Sequence, residues 1–177
     1  MTSNDAMIVN AAGIFPNGQV GSRILTNSGT IANTLGGTIL NVNGAIFYNN
    51  GIITNDNSSR ITSYGTFTND TSGILTNKGT FNQWGTFSNL GTLTGTGTLV
   101  GNMTNDGTIA PGNSIGTMTI NGNYTHHAGA VYEVEVNSAG QSDRLVVSGT
   151  TTLNEGLGVA PFGFQGCRGV GGKESFL

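Results

Sequence analysis

Along residues 26–109, single apolar positions recur behind a Gly or a Gly-Thr pair, each followed by a polar step that often contains Asn. The series reads Thr26-Asn27-Ser28-Gly29-Thr30-Ile31, Gly37-Thr38-Ile39, Asn43-Gly44-Ala45-Ile46 and Asn50-Gly51-Ile52-Ile53. It continues as Gly65-Thr66-Phe67, Gly73-Ile74-Leu75, Gly79-Thr80-Phe81, Gly85-Thr86-Phe87, Gly91-Thr92-Leu93, Gly97-Thr98-Leu99 and Gly107-Thr108-Ile109. The glycines mostly lie six to eight residues apart. That interval is too short for a helix and fits a strand of about three or four residues followed by a bend. Thr, Ile, Phe and Val suit a pleated strand, while Gly and Asn tolerate the positive φ of a tight bend.

Antiparallel hairpins would need alternation over about five or more residues per strand. Most units here offer one or two inward candidates, so the pattern predicts a solenoid. Three units make a coil of about 20 residues, and about five or six coils fit between residues 20 and 125. The expected fold is all-β: a right-handed, single-stranded parallel β-helix. Ile31, Ile39, Ile46, Ile53, Ile61, Phe67, Leu75, Phe81, Phe87, Leu93, Leu99 and Ile109 are its inward ladder. Asn27, Asn77, Asn89 and Asn105, each two residues before a Gly, are candidates for bends where amides bond from coil to coil. Val131–Val136, Leu145–Val147 and Thr150–Leu153 read as longer strands and predict a longer-stranded cap region at the C-terminal end.

Composition agrees with a thin core. Thirty Gly, 25 Thr and 22 Asn leave only 36% apolar residues, too few to fill a compact sphere. Charged residues make up 8% of the chain, which excludes salt-bridged long helices and charged tails. The net charge of −3 is spread thinly with no basic run, so nucleic acid is not an expected partner. Cys167 is the only cysteine and can make neither an internal disulfide nor a cysteine-rich metal site. No apolar run reaches the length of a membrane span, and Met1-Thr2-Ser3-Asn4-Asp5 lacks the features of a secretion leader.

From Ile109 the pattern changes. Ile109-Ala110-Pro111-Gly112-Asn113-Ser114-Ile115-Gly116-Thr117 leads through Tyr124 into Val131–Val136, and then to Ser142-Asp143-Arg144-Leu145-Val146-Val147-Ser148-Gly149. This resembles the C-terminal passenger region of bacterial autotransporters, the type V secretion proteins. There a Pro-Gly-x-Ser-x-Gly-Thr segment and a Ser-Asp-x-Leu-x-Val-x-Gly segment occur in that order. The resemblance covers about 45 residues closely.

It implies a right-handed β-helical passenger whose last coils are a folding nucleus, the autochaperone region. The passenger crosses the outer membrane unfolded through a β-barrel of the same chain and folds outside. Pro111, Gly112, Ser114, Gly116, Tyr124, Asp143, Arg144, Leu145 and Gly149 are then structural motif positions. The chain divides into an N-terminal edge (1–20), the repeats (21–108), the autochaperone-like region (109–157) and a divergent or truncated tail (158–177). The expected function is a non-enzymatic surface-exposed stalk and nucleus within an adhesin-type protein. The whole protein would lie at the cell surface or outside the cell, with a C-terminal outer-membrane barrel this stretch lacks. A monomer is expected, without cofactor or metal, and with a host-surface or glycan ligand of unspecified identity. The alternative is a polysaccharide-processing or sugar-binding β-helix.

Candidate chemistry is sparse. Polysaccharide cleavage needs two or three carboxylates together. Only Glu133 and Glu135 share a strand face, although a neighbouring coil could bring Asp143 near. His126-His127 reads as a polar bend without the further ligands a metal needs. Asp143-Arg144 reads as a local ion pair or bend lock. Trp84, Tyr48 and Tyr64 could stack on sugars if exposed, but are expected in ladders inside the solenoid.

Overall fold

The computed structural model describes residues 2–18, 23–112, 114–154 and 158–162. All regular structure among them is β: 23 strands of three to five residues. Successive strands fall in rotation on three parallel sheets, so the chain winds as a three-faced solenoid. Sheet 1 stacks Thr2–Asn4, Ile24–Asn27, Ile46–Asn49, Thr66–Asn69, Thr86–Asn89, Met103–Asn105, Tyr124–His126 and Thr151–Leu153. Sheet 2 stacks Met7–Ala11, Thr30–Thr34, Ile52–Asn55, Ile74–Asn77, Thr92–Gly95, Thr108–Pro111, Val131–Glu135 and Gly158–Phe162. Sheet 3 stacks Ile14–Asn17, Thr38–Asn41, Arg60–Ser63, Thr80–Gln83, Thr98–Val100, Thr117–Asn121 and Arg144–Val147.

Most strands between Ile24 and Pro111 carry the same four-residue logic. In Thr66-Phe67-Thr68-Asn69 the second and fourth side chains are buried, and the first and third are half-exposed. A strand alternates faces with period two. The apolar residue therefore fills the middle of a face, and the Asn reaches the corner where the chain turns to the next sheet. Phe67 and Phe87 pair in register on sheet 1, as do Ile53 and Leu75 on sheet 2 and Ile61 and Phe81 on sheet 3. Phe47 and Phe67 stack with centroids 4.7 Å apart, and Phe81 crosses from sheet 3 to Phe87 at 4.9 Å.

Eleven of the twelve expected inward residues are buried; Ile46 is not. It is half-buried on the outer side, and Phe47 takes the inner place with no exposure. The corner before it explains the slip. Ala45 is itself buried and closes that corner, its N–H donating to the Val42 carbonyl at 3.0 Å. The strand thus starts one residue later than the Gly suggests, and a one-residue shift exchanges the faces.

The corners are held by asparagine ladders. On sheet 1, Nδ2 of Asn4, Asn27, Asn49, Asn69 and Asn89 each donates to Oδ1 of the Asn one coil on, at 2.7–2.8 Å, ending at Asn105. On sheet 2 the series is Asn10, Asn33, Asn55 and Asn77, at 2.7–2.8 Å. On sheet 3, Asn17 donates to Asn41 at 2.9 Å and Asn41 to the Ser63 hydroxyl at 3.0 Å. The remaining amide hydrogens meet corner carbonyls: Asn69 Nδ2 lies 3.2 Å from Gly73 O and 2.9 Å from Thr92 O. A buried amide is tolerated when its donors and acceptor are all matched.

Residues 2–17 already form one coil of three strands. In the C-terminal region Thr117–Asn121 and Val131–Glu135 have five residues, but Tyr124–His126 and Thr151–Leu153 have three. The added chain length there goes into loops. Gly158–Phe162, inside the stretch set apart as a tail, pairs in parallel with Val131–Glu135. Cys167 lies outside the described residues.

Candidate functional site

The two loops of the C-terminal region meet at one buried carboxylate. Sheet 2 pairing between Thr108–Pro111 and Val131–Glu135 covers only Thr108 with Val131 and Ile109 with Tyr132. Pro111 has no N–H to continue the ladder. Gly112, at φ 94°, then turns the chain away, and a Cβ there would collide with the Ser114 carbonyl oxygen. Asp143 engages the backbone on both sides of this break. Its Oδ2 accepts the Glu135 N–H at 2.9 Å and its Oδ1 the Gly116 N–H at 2.8 Å, while its own N–H donates to Glu135 O at 2.9 Å. Asp143 is only 5% exposed.

Pro111, Gly112, Gly116 and Asp143 are thus brought together. Arg144 is exposed; its N–H donates to Gly116 O at 2.9 Å, and no ion pair joins it to Asp143 among the described residues. Leu145 is half-buried against the core, and Ser114 is exposed. Gly149 is also exposed and donates its N–H to Gly122 O at 3.0 Å. Tyr124 lies elsewhere, buried on sheet 1 at the end of its asparagine ladder.

There Tyr124 Oη is 2.7 Å from His126 Nδ1, and His126 Nε2 is 3.0 Å from Ala130 O. A carbonyl only accepts, so Nε2 carries a proton; in the neutral ring Nδ1 accepts from the Tyr124 hydroxyl. Asn105 Nδ2 closes the series 3.5 Å from the same Nδ1. Burial pushes the Tyr124 hydroxyl well above the usual tyrosine range. His127 faces outward, with Nδ1 2.6 Å from Asp106 Oδ1. The sequence treats the two histidines as one bend, whereas strand alternation sends them to opposite sides. Among the described residues, no group of three His, Cys, Asp or Glu is placed to hold a metal.

Asp143 also borders a groove of about 330 Å³ lined by Thr94, Ala110, Pro111, Gly112, Glu133 and Glu135. The fold therefore brings Asp143 beside the Glu133/Glu135 strand. Both its oxygens are occupied by backbone N–H groups, so it is a structural carboxylate, and Glu133 and Glu135 remain the groove's available acids. Among the described residues, no basic side chain lines it.

The exposed aromatics depart from expectation. Tyr64 and Trp84 are 50% and 61% exposed at the corner between sheets 3 and 1, and Tyr48 is half-buried on the outer side of sheet 1. Phe67, Phe81 and Phe87 occupy the interior instead. The usable cue is position: Tyr64 and Trp84 each stand directly before a Gly, one residue past the corner-facing side chain, where the next side chain turns outward.

Comparison with protein-family models, with curated proteins and with solved structures finds no match to this chain.

Proposed function

We propose that this chain is the C-terminal part of an autotransporter-like passenger, a non-enzymatic stalk displayed at the cell surface within an adhesin-type protein. In this reading residues 109–157 are the folding nucleus; positions 155–157 lie outside the described residues. The whole protein would add an outer-membrane barrel. The observation that carries the reading is the Asp143 clip. It ties the Pro111–Thr117 loop to the segment around Ser142–Gly149, the two stretches on which the resemblance rests. A clip closed by charge-assisted hydrogen bonds gives the last coils a local source of stability, and outer coils can then add to them one at a time.

The test is display. The full chain is placed between a secretion leader and an outer-membrane barrel, and surface exposure is read by protease treatment of intact cells. The native chain should appear outside. Asp143→Asn should cost the nucleus about 2 kcal/mol and leave much more of the passenger unexported, with barrel insertion unchanged. Undiminished display of Asp143→Asn and of a variant lacking residues 109–157 would end the nucleus reading.

The groove at Glu133 and Glu135 favours one second reading, a polysaccharide-processing β-helix. Cleavage of an acidic polysaccharide, abolished by Glu133→Gln, would put it in place of the stalk.

A further inference from the structure

We infer that the corner bearing Tyr64 and Trp84, together with the outer rungs that follow it on sheet 1, is a binding surface for an uncharged polysaccharide. Ser63 and Gln83 are in register on sheet 3. The next residue in each coil is an aromatic whose N–H donates to the coil before it, Tyr64 to Asn41 O and Trp84 to Ser63 O, both at 2.8 Å. The two rings therefore occupy the same corner one rung apart, about 4.8 Å along the axis. Their backbone is pinned. The coils approach so closely behind them that a Cβ on Gly85 would strike the Gly65 carbonyl oxygen. Large rings held in water on a fixed corner lose little freedom when a flat partner covers them.

The chain then enters sheet 1, where Thr66 pairs with Thr86 and Thr68 with Ser88 on the outer side. These hydroxyls can both donate and accept. From Ile46 to Thr152 the outer positions of sheet 1 strands hold no Asp, Glu, Lys or Arg. Stacking rings beside neutral hydroxyls match the two sides of a sugar ring, its apolar C–H face and its hydroxyl rim. These strands offer an anionic polymer no counter-charge, and the cation on the same corner, Arg23, stands beside Gly44, a coil before Tyr64. Repetition along the axis suits a polymer better than a single sugar, because successive units meet the same chemistry on successive rungs. The inference does not depend on the secretion reading: a chain that displays on cells but ignores glycans fails only here.

Trp84 is the only tryptophan, so its emission reports on this corner. The full chain is titrated with mannan, dextran and a soluble β-glucan, and with polygalacturonate as the acidic comparison, and retardation is measured by affinity electrophoresis. At least one neutral polymer should retard the protein and shift Trp84 emission. Tyr64→Ala and Trp84→Ala should each weaken retardation roughly tenfold, with thermal melting unchanged because neither ring is in the core. Failure of all three neutral polymers overturns the proposal, as does undiminished retardation of the double variant. Retardation by polygalacturonate alone also overturns it, as does an emission shift that follows protein concentration, which would identify a second copy as the occupant.

Discussion

An asparagine sealed inside a protein has two N–H donors and an oxygen to satisfy, and here the neighbouring coils supply the partners. Asn69 accepts from Asn49 and donates to Asn89, both at 2.8 Å, and its amide also meets Gly73 O and Thr92 O. Asn69→Ala leaves a donor on Asn49 and an acceptor on Asn89 buried without partners. The expected cost is about 3 kcal/mol. Asn82→Ala, on the outer side of its strand, should change stability by no more than about 0.5 kcal/mol. Urea unfolding of the two variants checks the difference; equal midpoints would make the ladder mere filler. Proximity to Gly marks Asn27, Asn77, Asn89 and Asn105 in the sequence but passes over Asn55 and Asn69. Their corners, Asp56–Ser59 and Asp70–Gly73, are longer and carry the chain further before it turns. The constant relation is to the core: the Asn stands two residues after the buried apolar side chain, as in Phe67 and Asn69. Gln83 holds that place on sheet 3 and is buried with neither amide atom paired.

A ladder behaves as one element, and its end matters as much as its rungs. On sheet 1 the amide series stops at His126, whose Nδ1 faces the Tyr124 hydroxyl at 2.7 Å. Burial raises the pKa of Tyr124 above the ordinary value of 10.0 and raises that of half-buried Tyr132 in the same direction. The folded state therefore keeps its protons where the unfolded chain gives them up. This contribution is complete below about pH 10 and is lost as pH climbs from there through the raised folded values. Tyr124→Phe should flatten the alkaline fall in stability while leaving the part due to Tyr132. Near pH 7 the same change should cost about 1–2 kcal/mol, because His126 Nδ1 loses its donor. Urea midpoints at neutral and alkaline pH test both signs; an unchanged alkaline slope would remove Tyr124 from the account. At this scale the sequence is legible where Gly-Thr opens a strand, as at Thr66 and Thr86. It misleads at Ala45-Ile46, where the corner consumes one more residue. The Asp143 clip is not readable from spacing, because its partners are backbone N–H groups: Glu135 lies across the local 136–142 turn, and Gly116, 27 residues away, is brought in only by the winding.

For the whole molecule, stacking of near-identical rungs makes stability a sum over coils and their interfaces. Thr66 and Thr86 occupy equivalent places one coil apart. Deleting residues 66–85 therefore joins Gly65 to Thr86 with every later strand still on its own sheet. That variant should keep its far-ultraviolet signal per residue, unfold cooperatively with a smaller denaturant slope, and be shorter by about 4.8 Å along its axis by solution scattering. Deleting only residues 66–75 removes fewer contacts yet should do more harm. It sets Thr76-Asn77-Lys78 after Gly65, with Asn77 in the mid-face position that Phe67 fills in the intact chain. The rungs on either side would face a gap lined by Phe47 and Phe87, and apolar surface would open to dye binding. A compact domain with a single shared core would respond in the opposite order, since the larger deletion removes more of that core. If the half-coil deletion proves the milder one, the rungs do not carry the fold independently. The additive stacking assumed for growth from a C-terminal nucleus would then fall with it.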